Sequence, residues 1–202
     1  YKFGFGQSPF PVPDSIISAL KNNANKNTYL PMQGLEELRS AIANYLNKNN
    51  NNNFKSEDII IGPGTKELMF LTQIAFQGEV LLPAPSWVSY QPQALIAKNK
   101  VHWIQTTGSS NWFPTAEQLE NKIKSIKNKK LLLFMNSPNN PSGAVYTPEV
   151  LQTINQLCRQ RGIYHICDEA YEYFTYDGAV HFSPGSLPDA GSYTISLYSL
   201  SK

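Results

Sequence analysis

The stretch Ile163-Tyr164-His165-Ile166-Cys167-Asp168-Glu169-Ala170-Tyr171 is the most telling part of the chain for its architecture. A short apolar run that ends on two carboxylates reads as a buried strand reaching a polar edge. In sheets flanked by helices, ligands gather at the carboxyl ends of the strands, and Asp168 falls at such an end. On either side of it, similar strand signals lie at Asp58–Ile61, Glu79–Leu82, Lys100–Ile104, Lys130–Met135 and Tyr193–Tyr198. Helical periodicity fills Asp14–Asn22, Leu35–Lys48, Lys66–Phe76, Val88–Lys98, Ala116–Lys127 and Pro148–Arg161. In the second of these, Leu35, Leu38, Ile42, Tyr45 and Leu46 form the expected apolar stripe. Strand and helix alternate, which predicts an α/β fold: a three-layer α/β/α sandwich around a mainly parallel sheet.

Composition excludes several classes. The chain has 202 residues, 41% hydrophobic and 16% charged, the profile of a soluble globular protein of one or two domains. Seventeen basic against fifteen acidic residues leave a net charge of +2, too even for a dedicated nucleic-acid surface. Cys158 and Cys167 stand apart from any histidine cluster, so buried thiols are expected rather than a metal site or a disulfide framework. The run Leu131 to Met135 is far too short to span a bilayer, and Tyr1-Lys2-Phe3-Gly4 lacks the pattern of a secretory signal. No membrane partner is expected, and the cytoplasm is the default compartment. Pro9, Pro11 and Pro13 make residues 1–13 an extended arm, and Asn49–Asn53 reads as a solvated loop.

Individual site signals are ambiguous. A hydrophobic strand ending in Asp-Glu also suits a magnesium-dependent nucleotide hydrolase, but the required glycine-rich lysine loop is missing. A strand-end Asp168 could equally cap the next turn. Tyr171, three residues on, shares a side with Asp168 if the chain turns helically, yet it also fits as packing beside Tyr173, Phe174 and Tyr176. Gly64-Thr65-Lys66-Glu67 opens a helix, where a glycine and free N–H groups suit a phosphate; an ordinary turn would look alike. Ser199 could add a hydroxyl to the same anion. Trp87, in Pro85-Ser86-Trp87, offers a flat ring for stacking or plain core filling. His102, His165 and His181 read as buried or edge residues, and no Gly-x-Ser-x-Gly elbow supports a serine nucleophile. Together, Ser199-Leu200-Ser201-Lys202, Asp168-Glu169-Ala170-Tyr171 and Asn140-Pro141-Ser142-Gly143 bring an amine, a carboxylate, a phenol and an amide. Pyridoxal chemistry needs that set: an amine for the Schiff base, an anion for the pyridine nitrogen and donors for the ring oxygen.

Read in order, these segments resemble the class I/II aminotransferases, enzymes of pyridoxal-phosphate fold type I. Tyr29-Leu30-Pro31-Met32-Gln33-Gly34-Leu35 is similar to the family's Tyr-x-Pro-x-x-Gly segment, and Gly64-Thr65-Lys66-Glu67 to its phosphate turn. Trp87 takes the ring-stacking position, and Asn140-Pro141-Ser142-Gly143 matches the Asn-Pro-Thr-Gly motif with serine for threonine. The resemblance implies that pyridoxal 5′-phosphate is carried on Lys202, which also moves the substrate proton. It implies that Asp168 pairs with the pyridine nitrogen and that Asn140 and Tyr171 bond the ring oxygen. Gly64, Thr65, Lys66 and Ser199 would hold the phosphate, with Tyr29 of the partner subunit completing it in a homodimer with shared sites. Gly6, Trp87 and Asn140 would touch the substrate, with Gln7 standing where an acid is common.

The resemblance also implies domains: residues 1–28 as an arm and small-domain segment, and 29–202 as the cofactor-binding large domain, incomplete on its C-terminal side. The chain looks like the N-terminal part of a longer one, whose remainder would supply the carboxylate-binding arginine. The implied reaction moves an amino group between an amino acid and a 2-oxo acid, with the aspartate-type branch favoured by Pro85-Ser86-Trp87-Val88-Ser89-Tyr90. Two other functions share these residues: a carbon–sulfur lyase or other pyridoxal-phosphate enzyme of the same fold, and an amino-acid-sensing, aminotransferase-like domain of a transcription regulator. For the regulator, residues 1–28 leave no room for a helix-turn-helix.

Overall fold

A computed structural model of the protein describes residues 8, 10–50, 52–127 and 130–202. The chain divides into two units: Tyr1–Gly62 with Ser201–Lys202, and Pro63–Leu200.

In the first unit, helix α1 spans Asp14–Asn23 and buries none of its residues. Helix α2 spans Glu36–Asn50, so the first two residues of the asparagine run continue the helix instead of looping. The face it buries differs from the expected stripe. Arg39, Ala43 and Leu46 are buried, whereas Leu35, Leu38 and Tyr45 are exposed. The reason is the Arg39 guanidinium, which donates to the carbonyls of Gly34 at 3.2 Å and Ser56 at 2.9 Å and pairs with Glu36. That turns the 39/43/46 face toward the segment carrying Ser56.

The expected strand Asp58–Ile61 does not form. Ser56–Asp58 is a 3-10 turn, closed by the Asp58 carboxylate accepting the Lys55 N–H at 2.8 Å. Beyond it, Ile61 N–H donates to the Gln33 carbonyl at 2.9 Å, a lone bond without a ladder. The same contact explains Gly34, whose φ is 100° and where a Cβ would lie 2.6 Å from Ile61 Cβ. Gly34→Ala is therefore expected to destabilise the full-length protein by about 1–3 kcal/mol, read as a lowered urea midpoint at unchanged slope.

The second unit is the sandwich the sequence predicts. Its elements run α3 (Thr65–Phe76), β1 (Glu79–Ala84), α4 (Tyr90–Ile96), β2 (Lys100–Gln105), α5 (Ala116–Ser125), β3 (Leu131–Asn136), α6 (Pro148–Arg161), β4 (Tyr164–Asp168) and β5 (Thr194–Leu197). Local chemistry sets the ends. Thr147 caps α6 ahead of Pro148, and Gly162 closes it at φ 64°. Left-handed Gln77 stops α3, and left-handed Lys98 follows α4, which is shorter than its sequence pattern.

The five strands are all parallel, in the order β2-β1-β3-β4-β5. β2 lies on one side of β1 and β3 on the other, so the winding reverses between β1 and β3. Both faces of such a sheet must be covered, and successive residues of one strand divide between them. Leu131, Leu133 and Met135 pack with Leu119, Ile123, Leu151 and Ile154 of α5 and α6. Leu132 and Phe134 pack with Met69, Phe76, Tyr90 and Ala94 of α3 and α4. Full burial of each such leucine contributes about 2 kcal/mol, and the two helical layers follow.

Polar core positions obey the same logic. His165 is completely buried, held through Nδ1 by the Asn155 amide at 2.9 Å, and burial pushes its pKa down to about 3, leaving it neutral. Cys158 and Cys167 are free buried thiols, both pushed up by burial. Among the described residues no helix is long and apolar enough to cross a membrane.

Candidate active site

The site is built on the carboxyl ends of β1, β3 and β4, beside the point where the winding reverses. Parallel register aligns Asn136 with Asp168, and Asp168 with Leu197 of β5. Strand ends have no further ladder, so their polar groups turn to local partners. Asn136 is 5% exposed and bridges two loops: its amide donates to the Asp168 carbonyl at 2.8 Å, while its Oδ1 accepts the Asn140 N–H at 2.7 Å. The Ser137 N–H reaches the same Asp168 carbonyl at 3.2 Å. Asn140 thereby projects its side chain to within 3.5 Å of the Tyr171 hydroxyl. Tyr171 stands in the turn after β4, where the Phe174 N–H bonds the Tyr171 carbonyl at 2.8 Å. The amide and phenol that the sequence places together do converge.

Asp168 is 5% exposed. Its Oδ1 accepts the Ala170 N–H at 3.2 Å, and its Oδ2 accepts the Tyr90 hydroxyl at 2.5 Å. Tyr90 opens α4, directly after the β1 loop that carries Trp87. The Trp87 ring meets Tyr90 edge-on at 5.5 Å, and Tyr90 stacks on Phe134 of β3 at 5.2 Å. Burial first, and the Asp168 charge second, hold the Tyr90 phenol far above its usual range. Asn139 donates to the Pro85 carbonyl at 3.4 Å, tying the β3 loop to the β1 loop.

Lys66 lies in the first turn of α3, with Nζ 5.5 Å from the Trp87 ring centre. Gly64 precedes it at φ 111°, and no side chain caps the helix. A Cβ on Gly64 would meet nothing within 4 Å. Thr65 is half-buried there. The carbonyl of Lys66 accepts from the Gln93 amide at 2.9 Å, fastening this turn to α4.

Ser199 is half-buried just beyond β5. Lys202 and Tyr29 are exposed residues of the first unit, and Gly6 lies outside the described residues.

Three contributors escape a reading by motif. Tyr90 carries a signal in hindsight, since it follows Trp87 by three residues at a helix start. Asn136 has none, because its task is to brace two loops. Glu169 is 2% exposed and turns away from its neighbour, accepting from Ser183 at 2.9 Å and meeting His181 Nε2 at 2.7 Å. Ser183 also meets the Tyr198 hydroxyl at 2.9 Å, and the Glu169 N–H donates to the Leu197 carbonyl at 2.9 Å. This cluster braces the exit of β5 toward Ser199.

Known proteins resemble this chain in sequence and in fold. The family model for class I and II aminotransferases matches residues 1–202. A probable aspartate/prephenate aminotransferase of Aquifex aeolicus is 37% identical over 194 residues, 93% of this chain and 48% of that protein. The aspartate aminotransferase of Bacillus subtilis is 34% identical over 92% of this chain and 48% of its own length. Among solved structures, the aspartate aminotransferase of Thermus thermophilus with maleate superposes with a TM-score of 0.89 at 31% identity, covering 98% of this chain and 52% of that one. The aromatic aminotransferase of Pyrococcus horikoshii gives 0.90 at 33% identity, covering 98% and 54%. The chain spans about half the length of the curated relatives it matches. On sequence, on fold and on the matched span of all its residues, the chain belongs to the class I and II aminotransferase family.

Proposed function

We propose that the protein to which this chain contributes transfers an amino group between an amino acid and a 2-oxo acid, using pyridoxal 5′-phosphate carried on Lys202. The observation that carries this reading is the convergence of Asp168, Trp87, Asn140 and Tyr171 on one sheet edge, in a chain of this family. The residues fit the cofactor, which is that of the family. A buried carboxylate suits a protonated pyridine nitrogen, and the Asn140–Tyr171 pair suits a ring oxygen. The start of α3 at Gly64, which no side chain caps, suits a phosphate.

Bound pyridoxal 5′-phosphate supplies an electron sink for the electron pair left when the substrate Cα loses its proton. Around it the chain's own groups divide the work. Asp168 holds a proton on the pyridine nitrogen, because an opposite charge favours the cation. Trp87 would cover a ring face and shield it from water. Gly64, Thr65, Lys66 and Ser199 bind the phosphate. Lys202 Nζ takes up and returns the proton at the substrate Cα, a task that depends on its being tethered beside that atom. Gly6, Trp87 and Asn140 orient the substrate.

In this reading residues 29–202 belong to the cofactor-binding large domain and residues 1–28 to an arm and small-domain segment. The active unit is a homodimer in which Tyr29 of the partner subunit completes the phosphate site. A cytoplasmic setting agrees with two free buried cysteines. The test is chemical. Borohydride reduction of the full-length protein with its cofactor, followed by peptide mapping, should tag Lys202. A tag on Lys66, or none, would refute the assignment.

A further inference from the structure

Asp168 and Tyr90 lie 78 positions apart, yet their side chains share a short buried hydrogen bond at this sheet edge, 2.5 Å from hydroxyl to Oδ2. Tyr90 is 1% exposed and held on several sides. Phe134 stacks on its ring, Trp87 meets its edge, and its N–H donates to the Trp87 carbonyl at 3.2 Å. A phenol fixed in this way cannot swing to another acceptor. The opposite oxygen of the carboxylate accepts the Ala170 N–H. Donors on both oxygens, one from the adjacent turn and one from α4, fix the plane of the carboxylate.

We propose that Tyr90 is a positioning residue that sets the orientation and effective charge of the Asp168 carboxylate, and through it the hold on the proton of the cofactor's pyridine nitrogen. The inference rests on the function proposed above. An O–H donated to a carboxylate spreads its negative charge, so a cation on the other side is held less tightly than by a bare anion. Burial keeps the phenol protonated, so the donor persists throughout the working pH range. Tyr90 also joins two parts of the site: its ring supports Trp87, and its hydroxyl supports Asp168. Other titratable groups facing the pair are Tyr146, whose phenol burial raises to about 12, and Tyr171. Cys167 and Glu169 flank Asp168 in the chain, and Lys66 approaches through Trp87.

The experiment compares full-length wild type with Tyr90→Phe, which keeps the ring and deletes the hydroxyl. Protonation of the pyridine nitrogen in bound pyridoxal 5′-phosphate is titrated with pH by nitrogen-15 NMR of labelled cofactor, alongside steady-state kinetics and melting of the cofactor-free protein. With the donor gone, the midpoint of the pyridine-nitrogen titration should rise by roughly half a unit or more. Because the carboxylate also loses one of the two donors that fix its plane, kcat should fall about 5- to 30-fold with KM changed less than about threefold. Introduced into Asp168→Asn, the same substitution should leave the midpoint where Asp168→Asn alone puts it, because the carboxylate it acts through is gone. An unmoved midpoint in Tyr90→Phe, an equal shift in both backgrounds, or failure of Tyr90→Phe to fold would assign the hydroxyl to structure alone and overturn the proposal. Absence of a borohydride tag on wild-type Lys202 would overturn the functional reading itself; a normal tag with an unmoved midpoint would overturn only the role of Tyr90.

Discussion

On the proposed function, Asp168→Asn in the full-length protein is expected to lower kcat about a thousandfold, or ~4 kcal/mol of transition-state stabilisation. The substitution nearly preserves volume, so the 5% exposed site keeps its packing. What it removes is the anion. An amide cannot keep a proton on a pyridine nitrogen, and without that proton the ring draws electrons from Cα poorly. The effect should be large because the carboxylate acts where solvent cannot screen it, at the end of a strand covered by α4. Cofactor affinity should weaken but survive, since Gly64, Thr65, Ser199, Asn140 and Tyr171 are untouched. Stopped-flow and steady-state measurements on the reconstituted protein would check this. Near-normal turnover would mean that the carboxylate merely closes the turn through the Ala170 N–H.

Lys202→Ala should be more damaging, leaving full-length protein that binds cofactor without covalent attachment and turns over at least about ten-thousandfold more slowly. This variant also exposes the symmetry of the site. In the proposed homodimer with shared sites, mixing it with Tyr29→Ala subunits would give dimers in which one site carries both lesions and the other carries neither. Random exchange should restore about a quarter of wild-type activity if Tyr29 crosses the two-fold axis. No recovery, despite demonstrated exchange, would place Tyr29 in its own subunit's site or outside it.

Much of this molecule was legible because its strands and helices obey simple periodicities. Helix α6 carries its start and stop in the letters Thr147-Pro148 and Arg161-Gly162, and its expected bounds are those observed. Strands β1, β3 and β4 appear as apolar bursts because both of their faces are buried. Asp58–Ile61 misled for the same reason. Ile59, Ile60 and Ile61 look like such a burst, but the Asp58 side chain closes a turn on Lys55 before them. Sequence periodicity cannot register that local competition. At the site, Asp168, Asn140 and Tyr171 stand in short motifs, and the side chains of Asn140 and Tyr171 approach to 3.5 Å. Asn136 and Glu169 brace loops and a strand exit, tasks that no motif marks, and Tyr90 meets Asp168 from 78 positions away. The α2 stripe failed because one arginine, Arg39, found three partners on a face that hydrophobicity alone would leave to solvent.

The strand order has a consequence for how the chain is made. Glu79 of β1 pairs with Leu131 of β3, so the middle of the sheet awaits a neighbour that emerges some 50 residues later. At ribosomal rates of about 5–20 residues per second, that interval is roughly 3–10 seconds. β2 arrives earlier and can take one side of β1, while Val80, Leu81 and Leu82 still lack the partner that covers them on the other. For those seconds a nascent chain shows a sticky, half-finished ribbon to the cell. Chaperones bind such segments, and the speed of translation through residues 106–130 governs how long they must do so.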